Sequence, residues 1–256
     1  MGGNKILLLD GSQIPREELL SKALYALDEL TLSGHQAGIL YPPERGGNVR
    51  ARIVSICGRD FIAACGGLTQ VLSRAMIDTE LGQRYNINPT DNACEIAIEF
   101  DHITVNTKTT LINDSYQETY TDFTSFAKEI LLRGIERINL GDIEAWRVGY
   151  FFVIDADKIK ERYPEVNFEV MDGATKEIIT LLQYRFLGAT GITSWDSAFF
   201  DHKPQKDCNY RALFPHNVRI GYVEPSCGTG SIALALAFLT NGESQLLGDK
   251  NSDPYT

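Results

Sequence analysis

Two stretches of this chain repeat one device. "AACGGLTQVLSRAM", beginning at residue 63, and "EPSCGTGSIALALAF", beginning at residue 224, both pass from strand-like residues through Cys-Gly and a small turn into an apolar helix. The amide N–H groups of a helix's first turn have no partner within the helix. They favour an anion, and their field lowers the pKa of a thiol set among them. Glycine beside the thiol lets a ligand come close to the backbone. Two such helix starts facing one another would hold a substrate carboxylate between two sets of donors, with Cys65 and Cys227 on opposite sides of the adjoining carbon. That arrangement removes a proton from one face and returns one to the other, one sulfur acting as thiolate and its partner as thiol. Two other readings stay open from the residues alone. Cysteine is a frequent core residue, and each thiol reads equally as a small buried hydrophobe. A disulfide between the two is the third reading, in an oxidised form of the protein.

Composition narrows the class. A chain of 256 residues is long enough for one large domain or two modest ones. Hydrophobic residues at 43% and charged residues at 23% are those of a globular protein rather than a disordered one. No apolar run approaches the ~18 residues of a membrane span, and the opening "MGGNKILLLDG" carries a single Lys before a short apolar run. The expectation is a soluble cytoplasmic protein with no membrane partner. A net charge of −10 without clustered Lys and Arg argues against nucleic acid as a partner. The five cysteines, at 57, 65, 94, 208 and 227, are odd in number and lack scaffold spacing, so they read as free thiols. Four scattered histidines and no Cys-x-x-Cys pair lead to the expectation of no metal site.

Hydrophobic patterning orders the chain. Strands are expected at 5–9, 37–43, 49–56, 94–100 and 102–112, with a loop at 42–48, "PPERGGN", and a helix over 12–30 with Ser12 near its start. Further on, "DFTSFAKEILLRGI" reads as a helix, "WRVGYFFVIDA" as one buried strand, "ADKIKERY" as a short helix and "VNFEVMD" as a strand. Residues 188–215 read as an insertion or long surface loop, followed by a strand at "VRIGYV" and a helix that ends at a C-cap on Gly242. The last residues are polar and expected to be peripheral.

At its two Cys-Gly motifs the chain resembles the diaminopimelate epimerase and proline racemase superfamily. The family pattern is Cys-Gly-Asn/His-Gly in the first lobe and Cys-Gly-Thr/Ser-Gly in the second. "CGTGS" at 227–231 matches in full, and "CGGLT" at 65–69 through Cys65 and Gly66. "GGNKILLLDG" is similar to the family's opening Gly-Asn-Asp-Phe strand, "RIVSICGRDFIAAC" to the approach to the first cysteine with Ser55 in place of Asn, and "RYPEVNFEVMD" to a Phe-Pro-x-x-x-Asn-Val strand. The chain differs where Val218 replaces the acidic residue that receives the substrate ammonium in the epimerases, with Glu224 the nearby acid, and where "VGYFF" around Gly149 replaces Gly-Asn-Pro-His.

The resemblance implies an α/β (α+β) fold of two pseudo-symmetric diaminopimelate epimerase-like lobes, 1–112 and 113–256, each a curved, mostly antiparallel sheet around a central helix. It implies an isomerase without cofactor, a racemase or epimerase of amino acids, with Cys65 and Cys227 as its two bases. Backbone amides of Gly66, Gly67, Gly228 and Thr229 would hold the reacting carboxylate, and Asn4, Asn167 and Arg219 the rest of a small amino-acid or carboxylic-acid substrate. A homodimer is left open. Two alternatives share the fold: an isomerase that shifts the double bond of an unsaturated di- or tricarboxylate, and a binding protein without catalysis.

Overall fold

The first apolar run forms β1 (Ile6–Asp10), and in the computed structural model it lies parallel to β2 (Gln36–Tyr41), Ile6 opposite Gln36. The structure describes residues 4–28, 30–56, 61–90, 92–192, 196–203, 210–217, 221–224 and 227–240. The chain divides into two compact units, Met1–Phe126 and Ala127–Thr256.

In the first unit the helix expected from Ser12 starts later. Asp10 turns back to accept the Ser12 N–H, closing a single 3-10 turn at Gly11–Gln13. Another 3-10 turn, Arg16–Glu18, follows Pro15, and only then does α1 (Leu19–Leu27) begin. The cause is local: an Asx turn on Asp10 and the fixed φ of Pro15 compete with a helical start. From β2 the chain turns into antiparallel β3 (Val49–Ser55), then β4 (Phe61–Ile62), which pairs with β3, and then α2 (Gly66–Asp78). After the short α3 (Leu81–Arg84) come β5 (Ala93–Glu99), β6 (Thr104–Asn113) and β7 (Tyr116–Asp122). The sheet order is β1-β2-β3-β5-β6-β7. It is antiparallel except at β1–β2 and β3–β5.

The second unit opens with α4 (Thr124–Arg133), which crosses the division, and builds β8 (Ile135–Leu140), β9 (Ile143–Val148) and β10 (Phe151–Asp155). What reads as one strand at 146–156 is therefore a hairpin. Gly149, at φ +63°, turns the chain so that Phe151 pairs with Val148, a backbone conformation that glycine takes without strain. Then follow α5 (Ala156–Arg162), the longer α6 (Gly173–Thr190), β11 (Asp196–Asp201), β12 (Arg211–Asn217), β13 (Tyr222–Glu224) and α7 (Gly228–Thr240). The sheet order is β13-β12-β11-β10-β9-β8, antiparallel except at β10–β11.

Two expectations are corrected in this unit. No strand forms at 166–172, where Asn167 accepts the Glu169 N–H and the segment ends in the Asp172 cap of α6. The region 188–215 contributes the end of α6, all of β11 and most of β12; its Asp and Lys residues conceal the short buried run Ser197–Asp201. Gly242, Cys57, Cys208, Val218 and Arg219 lie outside the described residues.

Matched by connectivity, the units repeat one plan: a strand, a helical crossover to a parallel partner, an antiparallel third strand, a short fourth, and a helix opening on cysteine. In the first unit this is β1-α1-β2-β3-β4-α2; in the second it is β10-α5-α6-β11-β12-β13-α7. The crossover helices and the cysteine helix take opposite faces of the sheet. Phe199 packs among α5 and α6 residues such as Ile159 and Phe186, whereas the next residue, Phe200, meets Phe238 of α7 at a ring separation of 5.0 Å. Side chains alternate between faces along a strand, so both faces of β11 are covered and Ala198, Phe199 and Phe200 follow one another without a polar break.

Candidate active site

Each cysteine caps the helix it precedes. Cys65 has an extended backbone, and its Sγ accepts the Leu68 N–H at 3.4 Å. Cys227 Sγ accepts the Gly230 N–H at the same 3.4 Å. One residue on, the Thr69 N–H closes on the Cys65 carbonyl and the Ser231 N–H on the Cys227 carbonyl. In both helices the third and fourth amides are thus satisfied by the cysteine. The first two, Gly66 and Gly67 in α2 and Gly228 and Thr229 in α7, have no acceptor within the helix. These are the four amides expected to hold a carboxylate.

The surroundings place each sulfur on the sheet face that its helix covers. Cys65 is buried and Sγ donates to Gln36 Oε1 at 3.2 Å. Gln36 opens β2, and two residues on a Cβ at Gly38 would come within 2.5 Å of Leu68 Cδ1, so glycine there gives α2 its close seat. Asn4 lies two residues before β1, at the end where Gly67 packs against Ile6. Around Cys227 the near groups are Thr229, whose Oγ1 lies 3.4 Å from Sγ, and the carboxylates of Asp196 and Glu224. Burial pushes the Cys227 thiol well up from its ordinary range, and the charges of Asp196 and Glu224 push it further; the Thr229 and Gly230 hydrogen bonds oppose them and lose. The expectation that the helix start leaves this thiol with a lowered pKa is therefore corrected, because the Gly230 amide and the Thr229 hydroxyl are outweighed by burial and two carboxylates. Tyr150, at the β9–β10 turn, is raised as well, by burial first and then by Glu129 and Asp196.

Glu224 is buried at 6% exposure, not a solvated turn charge. Asn167, by contrast, is exposed and committed to its local turn. The polar residue that opens a strand beside the second cysteine is Asp196. Asp196 pairs with Phe151 as Gln36 pairs with Ile6, and its N–H reaches the Tyr150 carbonyl at 3.2 Å as that of Gln36 reaches Lys5 at 3.3 Å. Sequence reading missed it because "WDSAFFD" sits in the stretch taken for a loop; the one signal is the resemblance of pattern to "HQAGILY", a polar residue opening a run of small and apolar ones.

Among the described residues one group has the spacing of metal ligands, Asp155, Asp157 and His202. Its members are bonded to one another: Asp155 accepts the Asp157 N–H and contacts His202 Nε2 at 3.0 Å, and Asp157 accepts the His202 N–H. They tie α5 to the end of β11. No helix among the described residues is long and apolar enough to cross a membrane.

The fold, two α/β units each with a mostly antiparallel sheet and a helix opening on Cys-Gly, is shared with solved structures of a hydroxyproline epimerase and a probable proline racemase. The chain is similar to a hydroxyproline epimerase from Agrobacterium vitis, solved with trans-4-hydroxy-L-proline bound, with a TM-score of 0.61 at 14% identity over 93% of this chain and 68% of that one. It is similar to a probable proline racemase from Agrobacterium radiobacter, solved with carbonate bound, with a TM-score of 0.60 at 14% identity over 94% of this chain and 69% of that one. No family model and no curated protein sequence matches the chain.

Proposed function

We propose that the protein is a cofactor-independent amino-acid racemase or epimerase, inverting a Cα centre by proton transfer to one sulfur as thiolate and from the other as thiol, Cys65 and Cys227 being the pair. The observation that supports it most is the repeated cap, in which each sulfur takes the third amide of its helix and leaves the first two for a ligand. A carboxylate on Gly66, Gly67, Gly228 and Thr229 gains negative charge as Cα gives up its proton, so these donors act where charge develops. The two fold neighbours, one named an epimerase and one a probable racemase, agree with this chemistry.

The substrate's ammonium falls to the acidic end of the site, Asp196 and Glu224, in place of the family acid that Val218 replaces. Asn4 and Arg219 contact the rest of the substrate in this reading; Asn167 gives up its expected role to Asp196. The two carboxylates also weigh against a di- or tricarboxylate substrate, which would meet them as like charges. Incubation with a panel of amino acids in deuterated water tests the reading. Deuterium at Cα together with loss of optical activity is expected, and replacement of Cys65 or Cys227 by Ser should abolish both. Turnover of an unsaturated acid alone would assign the isomerase instead, and full activity in both Ser variants would remove the two-thiol mechanism.

A further inference from the structure

The fourth residue after each cysteine carries a hydroxyl, Thr69 in α2 and Ser231 in α7. In both helices its amide closes the first turn on the cysteine carbonyl, and its side chain then bonds back into that same turn. Thr69 Oγ1 donates to the Gly66 carbonyl at 2.8 Å, and Ser231 Oγ donates to the Cys227 carbonyl at 2.8 Å. Each of those carbonyls belongs to a peptide unit whose N–H is one of the donors left open at the helix starts, that of Gly67 in α2 and that of Gly228 in α7. We propose that Thr69 and Ser231 are positioning residues, each holding one peptide plane so that its N–H stays aimed out of the helix start at a substrate carboxylate. This rests on the carboxylate-holding role of those amides in the reading above.

A peptide unit is planar, so a bond that fixes its C=O also fixes its N–H, which points the opposite way. A hydrogen bond to the carbonyl oxygen further polarises the unit and strengthens its N–H as a donor. Glycine gives the device its use. Gly66, Gly67 and Gly228 have no Cβ to restrain φ and ψ, so the openness that admits a ligand also leaves these planes loosely held. Back-bonding of Ser or Thr to a carbonyl three or four residues earlier is a familiar local option that slightly disfavours a helix. Packing supplies no common reason for it here. Thr69 is fully buried and lies 3.1 Å from Thr121 in the polar seat of α2, whereas Ser231 is exposed on a helix whose buried face is apolar. What the two positions share is the cysteine four residues back and the bond to a carbonyl of the opening turn. Because the Thr69 proton is committed to Gly66, Thr121 is the donor across their contact. The helices differ in which plane is held, and this assigns Thr69 to the Gly67 amide and Ser231 to the Gly228 amide.

Acetate serves as the carboxylate probe, titrated into protein labelled with 15N at glycine and followed at the Gly67 and Gly228 amide resonances. Both are expected to move. Thr69→Val keeps the side-chain shape, and should shift the Gly67 resonance and weaken acetate about fivefold as read there, the net worth of one neutral hydrogen bond. Thr69→Ser should restore both. Ser231→Ala should act in the same way at Gly228, with Ser231→Thr restoring it, and this exposed position provides the test if Thr69→Val does not fold. Thr121→Val removes the other partner of Thr69 and leaves its bond to Gly66, so acetate affinity should stay within about twofold of the parent. Equal losses in Thr69→Val and Thr121→Val would show a packing role and overturn the proposal, as would unchanged acetate affinity in folded Thr69→Val or Ser231→Ala. Resonances that ignore acetate in the unsubstituted protein overturn the carboxylate site and the proposal together. Acetate effects that follow the variants in a protein exchanging no Cα deuterium with the amino-acid panel uphold the positioning role and overturn the racemase reading instead.

Discussion

At the scale of single residues, the glycines beside the two sulfurs have unequal tolerance for a side chain. A Cβ on Gly67 would meet the tip of Ile6 at 3.1 Å and Cys65 Sγ at 3.6 Å. The Ile6 methyl can swing aside, and alanine gains up to ~1 kcal/mol of helix propensity over glycine. Gly67→Ala is therefore expected within about 1 kcal/mol of the parent in urea unfolding. A Cβ on Gly230 would come 2.7 Å from Phe214 Cε1, part of a ring buried at 3% exposure. Gly230→Ala is expected to lose about 1–3 kcal/mol by overpacking, and to displace the amide that caps Cys227. Equal costs at the two positions would show that the ring yields as easily as the methyl. Gly67 was visible in the motif as a ligand-approach position; Gly230 was visible only as part of the Cys-Gly-Thr-Gly pattern, and its packing role is revealed by the position of Phe214.

At the scale of elements, buried polar side chains set details that hydrophobic patterning passes over. The loop 42–48 is organised around Glu99, whose Oε2 accepts the Glu44 N–H and Oε1 those of Arg45 and Gly47, at 2.7 to 2.8 Å. Burial pushes the Glu99 carboxyl up, but these three backbone donors outweigh it and hold it below the usual range. Arg45 closes the loop from the other side by donating to the Phe100 and Asp101 carbonyls. Glu99→Gln turns one acceptor oxygen into a donor facing an N–H, and a loss of about 1–3 kcal/mol is expected in chemical denaturation. A second device seats α2. Ser73 meets Thr109 at 2.6 Å, Thr109 meets Thr119 at 2.9 Å, and Thr121 lies 3.1 Å from both Thr69 and Thr107. On α7 the corresponding surface is apolar, with Ala233, Leu234, Ala237 and Phe238 buried. Thr109→Val, close to isosteric, should cost about 1 kcal/mol, and adding Ser73→Ala should cost less than the two changes separately. Strict additivity in that double-mutant cycle would mean the hydroxyls do not act as a network.

At the scale of the whole molecule, ionisation sets the limits of stability at both ends of the pH range. Glu99 is held below its usual range, so its contribution is present above the unfolded value of ~4.3 and is lost as pH falls further. Cys227 and Cys94 are pushed up, each by burial first. Below the unfolded thiol value of ~8.5 both states hold the proton; above it the unfolded chain ionises first and is favoured. Urea midpoints should accordingly form a plateau between about pH 4.5 and about pH 8.5. The acid limb should flatten in Glu99→Gln and the alkaline limb in Cys227→Ser; unchanged limbs in those variants would assign the titration to other groups.

The amino-acid sequence by itself determined the two cysteine helices, their opening glycines and most strands of the first unit, because each is written in a local pattern: alternation, a three-and-four spacing, a Cys-Gly cap. It left the second unit half legible. The hairpin at Gly149 interrupts a continuous apolar run, and β11 is too short and too flanked by charge to stand out. Asn167 was taken for a strand residue where a turn forms. Only the tertiary structure decided that Asp196 stands beside Cys227 as Gln36 stands beside Cys65, since that equivalence lies in the register of two parallel strands joined by long crossovers. Local sequence carries no trace of such pairing. The charge that distinguishes the two thiols is therefore a property of the assembled sheet, whereas the thiols themselves are announced by their motifs.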